Sequence, residues 1–270
     1  MPLCAARGVL NVLLSMNSSP FAPPVAGPLA LDRDTVGFLR KVYLLFFAGI
    51  VSATGGALTA LYAGTASSQL VLDRVGPLQG VHVPPLVAWF GEHWILAMLL
   101  YFGAFFGMSA VRRRPGINVV ALVGFTFLSG LYIAPMLFIA GVLGTSGAAM
   151  TANPVRDAFL LTVAAFGGLT AYVLVTKRDF SFLRGFLSMG LLVLIVAMLI
   201  GMFVGSSVFH LAIASVGVLL FGAYVLYDTS RLMRTGDRTD PVGAAVSLYL
   251  DFLNLFLFIL RILMSSRQRS

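Results

Sequence analysis

Two carboxylates interrupt apolar stretches where water is scarce. Asp228 sits in "YVLYDTSRLMR" and Asp251 in "SLYLDFLNLFLFILRIL". Burying an ionised carboxylate in lipid costs on the order of 3 kcal/mol by insertion scales, so an acid inside a span is a functional candidate by default. The chemistry on offer is proton exchange. Two carboxyl groups brought together in a low-dielectric setting cannot both ionise cheaply and tend to share one proton. Protonated, the pair bonds; ionised, it repels or recruits a hard cation through its oxygens. The residues also allow separate satisfaction, with Asp228 paired to Arg231 or Arg234 and Asp251 bonded to Asn254 or a backbone carbonyl.

The elements that must position these acids are membrane helices. A helix needs roughly 20 apolar residues to cross the hydrocarbon core, and seven stretches qualify: Lys41 to Tyr62, His93 to Val111, Ile117 to Val142, Ala158 to Val175, Phe186 to Val204, Phe209 to Tyr227, and Ala244 to Leu263. Asp228 closes the sixth stretch, and Asp251 lies roughly 12 Å into the seventh at 1.5 Å per residue. The short connection between them makes the two helices antiparallel neighbours, which places both acids in the same half of the membrane. Asn254, three residues beyond Asp251, shares its helix face and offers an amide donor.

Composition supports this class. The chain is 59% hydrophobic and 10% charged, with mean hydropathy +0.96, which describes an all-α polytopic membrane protein rather than a soluble domain. A net charge of +8 does not point to nucleic acid, because the basic residues fall in short clusters between spans. Arg33, Arg40 and Lys41, then Arg112, Arg113 and Arg114, then residues 177–184, then residues 231–238 alternate with connections that are nearly free of basic residues. By the positive-inside rule these clusters face the cytoplasm, as does the N-terminus. Seven crossings then put the C-terminus outside; the basic tail "SSRQRS" sits awkwardly there, and a re-entrant seventh segment is the alternative. Arg112 is first an orientation signal, with a stem long enough to swing inward to a carboxylate.

Other features carry less chemistry. Cys4 is the lone cysteine, which excludes a disulfide framework. His82, His93 and His210 are scattered, and no cofactor or standing metal centre is expected. Arg156 and Asp157 suit the start of the fourth span electrostatically. Gly103–Gly107 and Gly201–Gly205 have the spacing that lets membrane helices approach closely. Trp89 and Trp94 fit headgroup depth, with "VHVPPLVAWF" lying along the outer interface. Residues 1–38 read as a disordered cytoplasmic tail, with Met16 an alternative start, rather than as a signal peptide. Residues 39–264 form one membrane domain, and 265–270 a short basic tail. Seven helices invite comparison with retinal proteins, but the last has no lysine for a Schiff base.

The motifs quoted above, with "LYDTS" and "GFTFLSGLYIAP" (residues 124–135), resemble the Bax inhibitor-1 / YccA family over roughly residues 38–264. The resemblance implies six helices surrounding a central seventh. It also implies that Asp228 and Asp251 correspond to the family's di-aspartyl pH sensor, transiently touching Ca2+, and that Arg112 matches the arginine that exchanges with the pair during gating. The implied activity is a pH-sensitive leak of calcium or another cation across a membrane, here a bacterial inner membrane given the preference for arginine over lysine. Eukaryotic relatives suppress cell death, and bacterial ones are linked to a membrane-bound AAA protease, so the alternative function is a non-conducting regulator of such a protease. No enzymatic activity is expected: an intramembrane aspartyl protease sets its second aspartate in a Gly-x-Gly-Asp context, whereas Asp251 follows "LYL". The chain departs from some prokaryotic relatives in lacking an acid midway along the second span, "LAMLLYFGAFFG".

Overall fold

The computed structural model describes residues 33–63, 83–145, 153–234 and 238–267. Within them the chain is all helix: α1 (Arg33–Tyr62), α2 (Pro85–Glu92), α3 (Trp94–Val111), α4 (Ile117–Thr145), α5 (Pro154–Thr176), α6 (Leu183–Gly201), α7 (Ser207–Arg234) and α8 (Pro241–Arg267). Seven of these are long and apolar enough to span a bilayer, and the chain is an integral multi-pass membrane protein. The ends of α1, α5, α7 and of the α3–α4 connection that carry the basic clusters share one side of the bundle, called the basic end below.

The helices overrun the apolar stretches. α1 begins at Arg33, eight residues ahead of the expected Lys41, and α8 begins at Pro241 rather than Ala244. Hydropathy marks only the lipid-facing length, while the helix continues as polar turns whose free N–H groups are capped. Asn153 caps α5 by accepting from the N–H groups of Val155 and Arg156 at 3.0 and 3.2 Å. Asp240 caps α8, accepting from Gly243 N–H at 2.7 Å, with Pro241 at the first helical position. The stretch expected to lie along the interface folds as α2, where Trp89 stacks on His93 at 5.3 Å; Trp94 is exposed at the start of α3. α8 is one unbroken helix of 27 residues, about 40 Å long, so it crosses rather than re-enters. The tail before residue 33 lies outside the described residues, and so does His82.

α8 is the most buried span. Leu248, Tyr249, Leu255 and Leu260 are almost wholly enclosed, with α1, α4, α5 and α7 packed around them; α3 packs chiefly on α4 and α6 on α7. The closest helix approach is α1 against α4. A Cβ on Gly56 would meet the Phe127 carbonyl, and one on Gly130 would meet the Ala53 carbonyl, so only glycine fits at either position. The "GAFFG" pair behaves differently: nothing lies within 4 Å of a Cβ built on Gly103 or Gly107. Gly201 does meet a neighbour, the His210 ring, while Gly205 is open.

Candidate functional site

Asp228 lies near the basic end of α7, and Asp251 lies in α8 about 15 Å from its start. Antiparallel packing of the two helices sets their carboxyl groups beside each other, close enough to interact directly. Two carboxyl groups this close in a buried site favour sharing one proton over ionising together. Asp251 is 5% exposed, and its Oδ2 has no partner. Arg231, one turn beyond Asp228, acts on it electrostatically. Neither of the other candidate partners reaches the pair. Arg234 donates to the Lys177 carbonyl at 2.8 Å and lies 3.7 Å from Asp179. Asn254 donates its amide to the Leu250 carbonyl of its own helix at 2.8 Å.

Arg112 is turned to a different acid, its Nε 3.1 Å from Asp240 Oδ2. Asp240 therefore caps α8 with one oxygen and holds Arg112 with the other, tying the α3–α4 connection to the first turn of the central helix. Beside it, Arg238 donates to Thr35 Oγ1 at 2.5 Å, 4.0 Å from Asp34. The α5–α6 connection is docked on α7 as well: Phe180 N–H donates to Ser230 Oγ at 3.3 Å. There the Ser181 backbone N–H, then its hydroxyl, hold the Asp179 carboxyl below the usual carboxylate range, with Arg234 adding to the effect. The "TDPVG" run, an acid before proline at a helix start, is the signal that announces Asp240 as a cap.

Sequence reasoning missed a second group. Tyr43 of α1 points its hydroxyl at Thr229 of α7 and Thr170 of α5, and none of the three oxygens is in a well-formed hydrogen bond. Thr229 is the immediate neighbour of Asp228. Four unsatisfied buried oxygens, counting Asp251 Oδ2, thus come from the helices that surround the pair. Each costs roughly 1–3 kcal/mol when left unmade, and groups of this kind mark places where water or an ion is handled. A tyrosine and two threonines in otherwise apolar spans give no periodic signal; only packing gathers them.

The next layer toward the other end is aromatic. Phe46 stacks on Phe166 at 5.1 Å, and Phe252 meets both edge-on at 5.8 and 5.5 Å. Phe159 closes on Phe252 at 6.1 Å. Beyond these rings lies a cavity of about 710 Å3 between α1, α4, α5 and α8, whose walls include Tyr249, Phe252, Phe159 and, at its mouth, Arg156. Arg156 pairs with Asp157 at 3.0 Å, and Tyr249 is hydrogen-bonded to the Ser129 hydroxyl. Tyr249 and Phe252, which flank Asp251 on α8, both line this cavity, so the acid pair, the phenylalanines and the cavity are neighbours in the bundle.

The model of the family described as inhibitor of apoptosis-promoting Bax1 (Bax1-I) matches residues 35–268. An uncharacterised membrane protein of Vibrio cholerae is 40% identical over 73% of this chain and 84% of its own length. The Golgi anti-apoptotic protein of vaccinia virus is 32% identical over 87% of each chain. Protein lifeguard 4 of Mus musculus is 32% identical over 84% of each. With the buried acid pair and the central last helix already in place, these matches identify the chain as a member of the Bax1-I family of membrane proteins.

Proposed function

We propose that the protein is a pH-gated cation leak of a membrane, with calcium the cation and no enzymatic step. The observation that carries this reading is the placing of the Asp228 and Asp251 carboxyl groups beside each other, with Asp251 buried, toward the basic end of the bundle. While the shared proton is present, the bond ties α7 to the central helix. When the proton leaves at higher pH, two anions face each other at short range in a low-dielectric site, and repulsion of several kcal/mol favours their separation or the entry of a cation between them. The Tyr43, Thr170 and Thr229 hydroxyls add the neutral oxygens that suit a hard cation. The phenylalanine layer is the closed barrier between this site and the cavity beyond it. The basic end faces the cytoplasm by the positive-inside rule, in a bacterial inner membrane.

Purified protein reconstituted in liposomes with an entrapped calcium dye tests the proposal. Flux should rise as the buffer on the basic side is taken from mildly acidic to mildly alkaline, and Asp251→Asn should remove that dependence. A flux in the variant with the wild-type pH profile would overturn it.

A second reading keeps the sensor and drops the conduction: the pair regulates a partner such as a membrane-bound protease. The packed cluster of Phe46, Phe166 and Phe252 beside the pair is the observation that favours it. Liposomes that stay tight to calcium at every pH, together with pH-dependent cross-linking of the partner in native membranes, would select this reading.

A further inference from the structure

Arg261 lies within a membrane-spanning helix, away from the basic clusters. It lies on α8 about 30 Å from the helix start, at the end opposite the basic clusters. Its guanidinium carbon sits 5.7 Å over the Phe258 ring, and no carboxylate among the described residues pairs with it. The helices around it cannot supply one: α4 and α6 contain no acid, and the acids of α7 and α8 are Asp228 and Asp251, far away at the basic end. A guanidinium at membrane depth without an acid calls for an anion from elsewhere.

The surroundings say what kind of anion. Arg261 and His210 line a cavity of about 750 Å3 whose apolar walls include Met136, Met198, Met202 and Met264. The wall residues Leu199 and Met202 are exposed, so the cavity opens sideways toward lipid. Unbranched thioethers adapt to a flexible chain, while a guanidinium offers a planar fork that fits two phosphate oxygens at once. Polar donors together with pliable apolar walls describe a site for an amphiphile with an anionic head.

We propose that this cavity binds an anionic phospholipid of the adjoining leaflet, its phosphate on Arg261 with His210 alongside and an acyl chain along the methionines. The site is independent of the acid pair and of any conduction.

The test is native mass spectrometry of detergent-purified protein titrated with dioleoylphosphatidylglycerol or dioleoylphosphatidylcholine. The wild type should retain the anionic lipid about tenfold better, the discrimination expected of one strong charge-assisted contact. Arg261→Gln should bring the ratio close to one, and Arg261→Lys should restore part of it. Met198→Trp, which fills the cavity and leaves the charge, should lower retention of both lipids and keeps the test open should the arginine variants fold poorly. Equal retention of the two lipids by the wild type, or an undiminished ratio in Arg261→Gln, would overturn the proposal. Displacement of the bound lipid by millimolar inorganic phosphate would also overturn it, since the site would then recognise the anion alone.

Discussion

Asp240 does two jobs with one carboxylate, capping α8 through Gly243 N–H and holding Arg112. Its replacement therefore has two separable consequences. Asp240→Ala should cost about 1 kcal/mol for the lost cap, whereas Arg112→Gln, which removes an ion pair whose arginine is 46% exposed, should cost less, at about 0–1 kcal/mol. Thermal unfolding in detergent measures the difference, and an equal loss in both variants would mean the ion pair, not the cap, dominates. Asp179 offers a pH test outside the membrane. Its carboxyl is held low by Ser181 and Arg234, so its contribution to docking the α5–α6 connection on α7 is in full force above the ordinary carboxylate range. That contribution is lost as pH falls through the lowered value. Hydrogen exchange of residues 177–183 should accelerate over that acidic interval in the wild type and be insensitive to it in Asp179→Asn. These residue roles were unevenly visible beforehand. The spacing of Asp228 and Asp251 across a short connection placed them in the same half of the membrane, where they could meet, while separate partners for each stayed open. Arg112 was legible as a mobile cation but not as Asp240's partner, since that contact spans more than a hundred residues of sequence.

At the scale of elements, glycine placement separates real contacts from spacing alone. Gly56 and Gly130 face backbone across the α1–α4 interface, where a Cβ has no room. Gly130→Val should therefore overpack that interface and cost at least about 1–3 kcal/mol. Gly103→Val, on the open face of α3, should stay within about 0.5 kcal/mol. Unfolding temperatures in one detergent decide between them, and a large loss at Gly103 would contradict the packing described. The "GAFFG" spacing gave the wrong glycines because periodicity records which residues share a helix face and not whether a neighbour covers that face. α3 turns it toward lipid. The run of Gly49, Ala53, Gly56, Ala57 and Ala60 on α1 carries the same kind of signal, and these residues are buried. The spans themselves were legible because lipid selects length and apolarity, both local properties; their ends were not, because caps such as Asn153 and Asp240 extend helices beyond the apolar limit.

For the whole molecule, the decisive feature is the phenylalanine cluster packed beside the acid pair and lining the cavity through Phe252 and Phe159. In the proposed leak the rings are the barrier, so trimming them should open it. Phe252→Ala should raise calcium entry into liposomes at every pH, and Phe252→Leu should do so more weakly. The alanine variant carries a folding cost of about 3–5 kcal/mol, which a parallel melting curve would expose. Adding Asp251→Asn to Phe252→Ala should leave a leak without pH dependence, because the sensor is removed while the barrier stays open. An unaltered flux in both phenylalanine variants would place the barrier elsewhere.

The sequence by itself determined the class of this protein, its seven membrane-length apolar stretches and the placing of Asp228 and Asp251 in one half of the bundle. Each follows from apolar length or from the short reach between consecutive helices. Only the tertiary structure decided that Tyr43, Thr170 and Thr229 converge, that Phe46, Phe166 and Phe252 pack on one another, that Arg112 sits on Asp240, and that Arg261 faces a cavity with no acid in it. Those contacts join helices distant in the chain, and the packing that creates them depends on the shapes of all the spans at once.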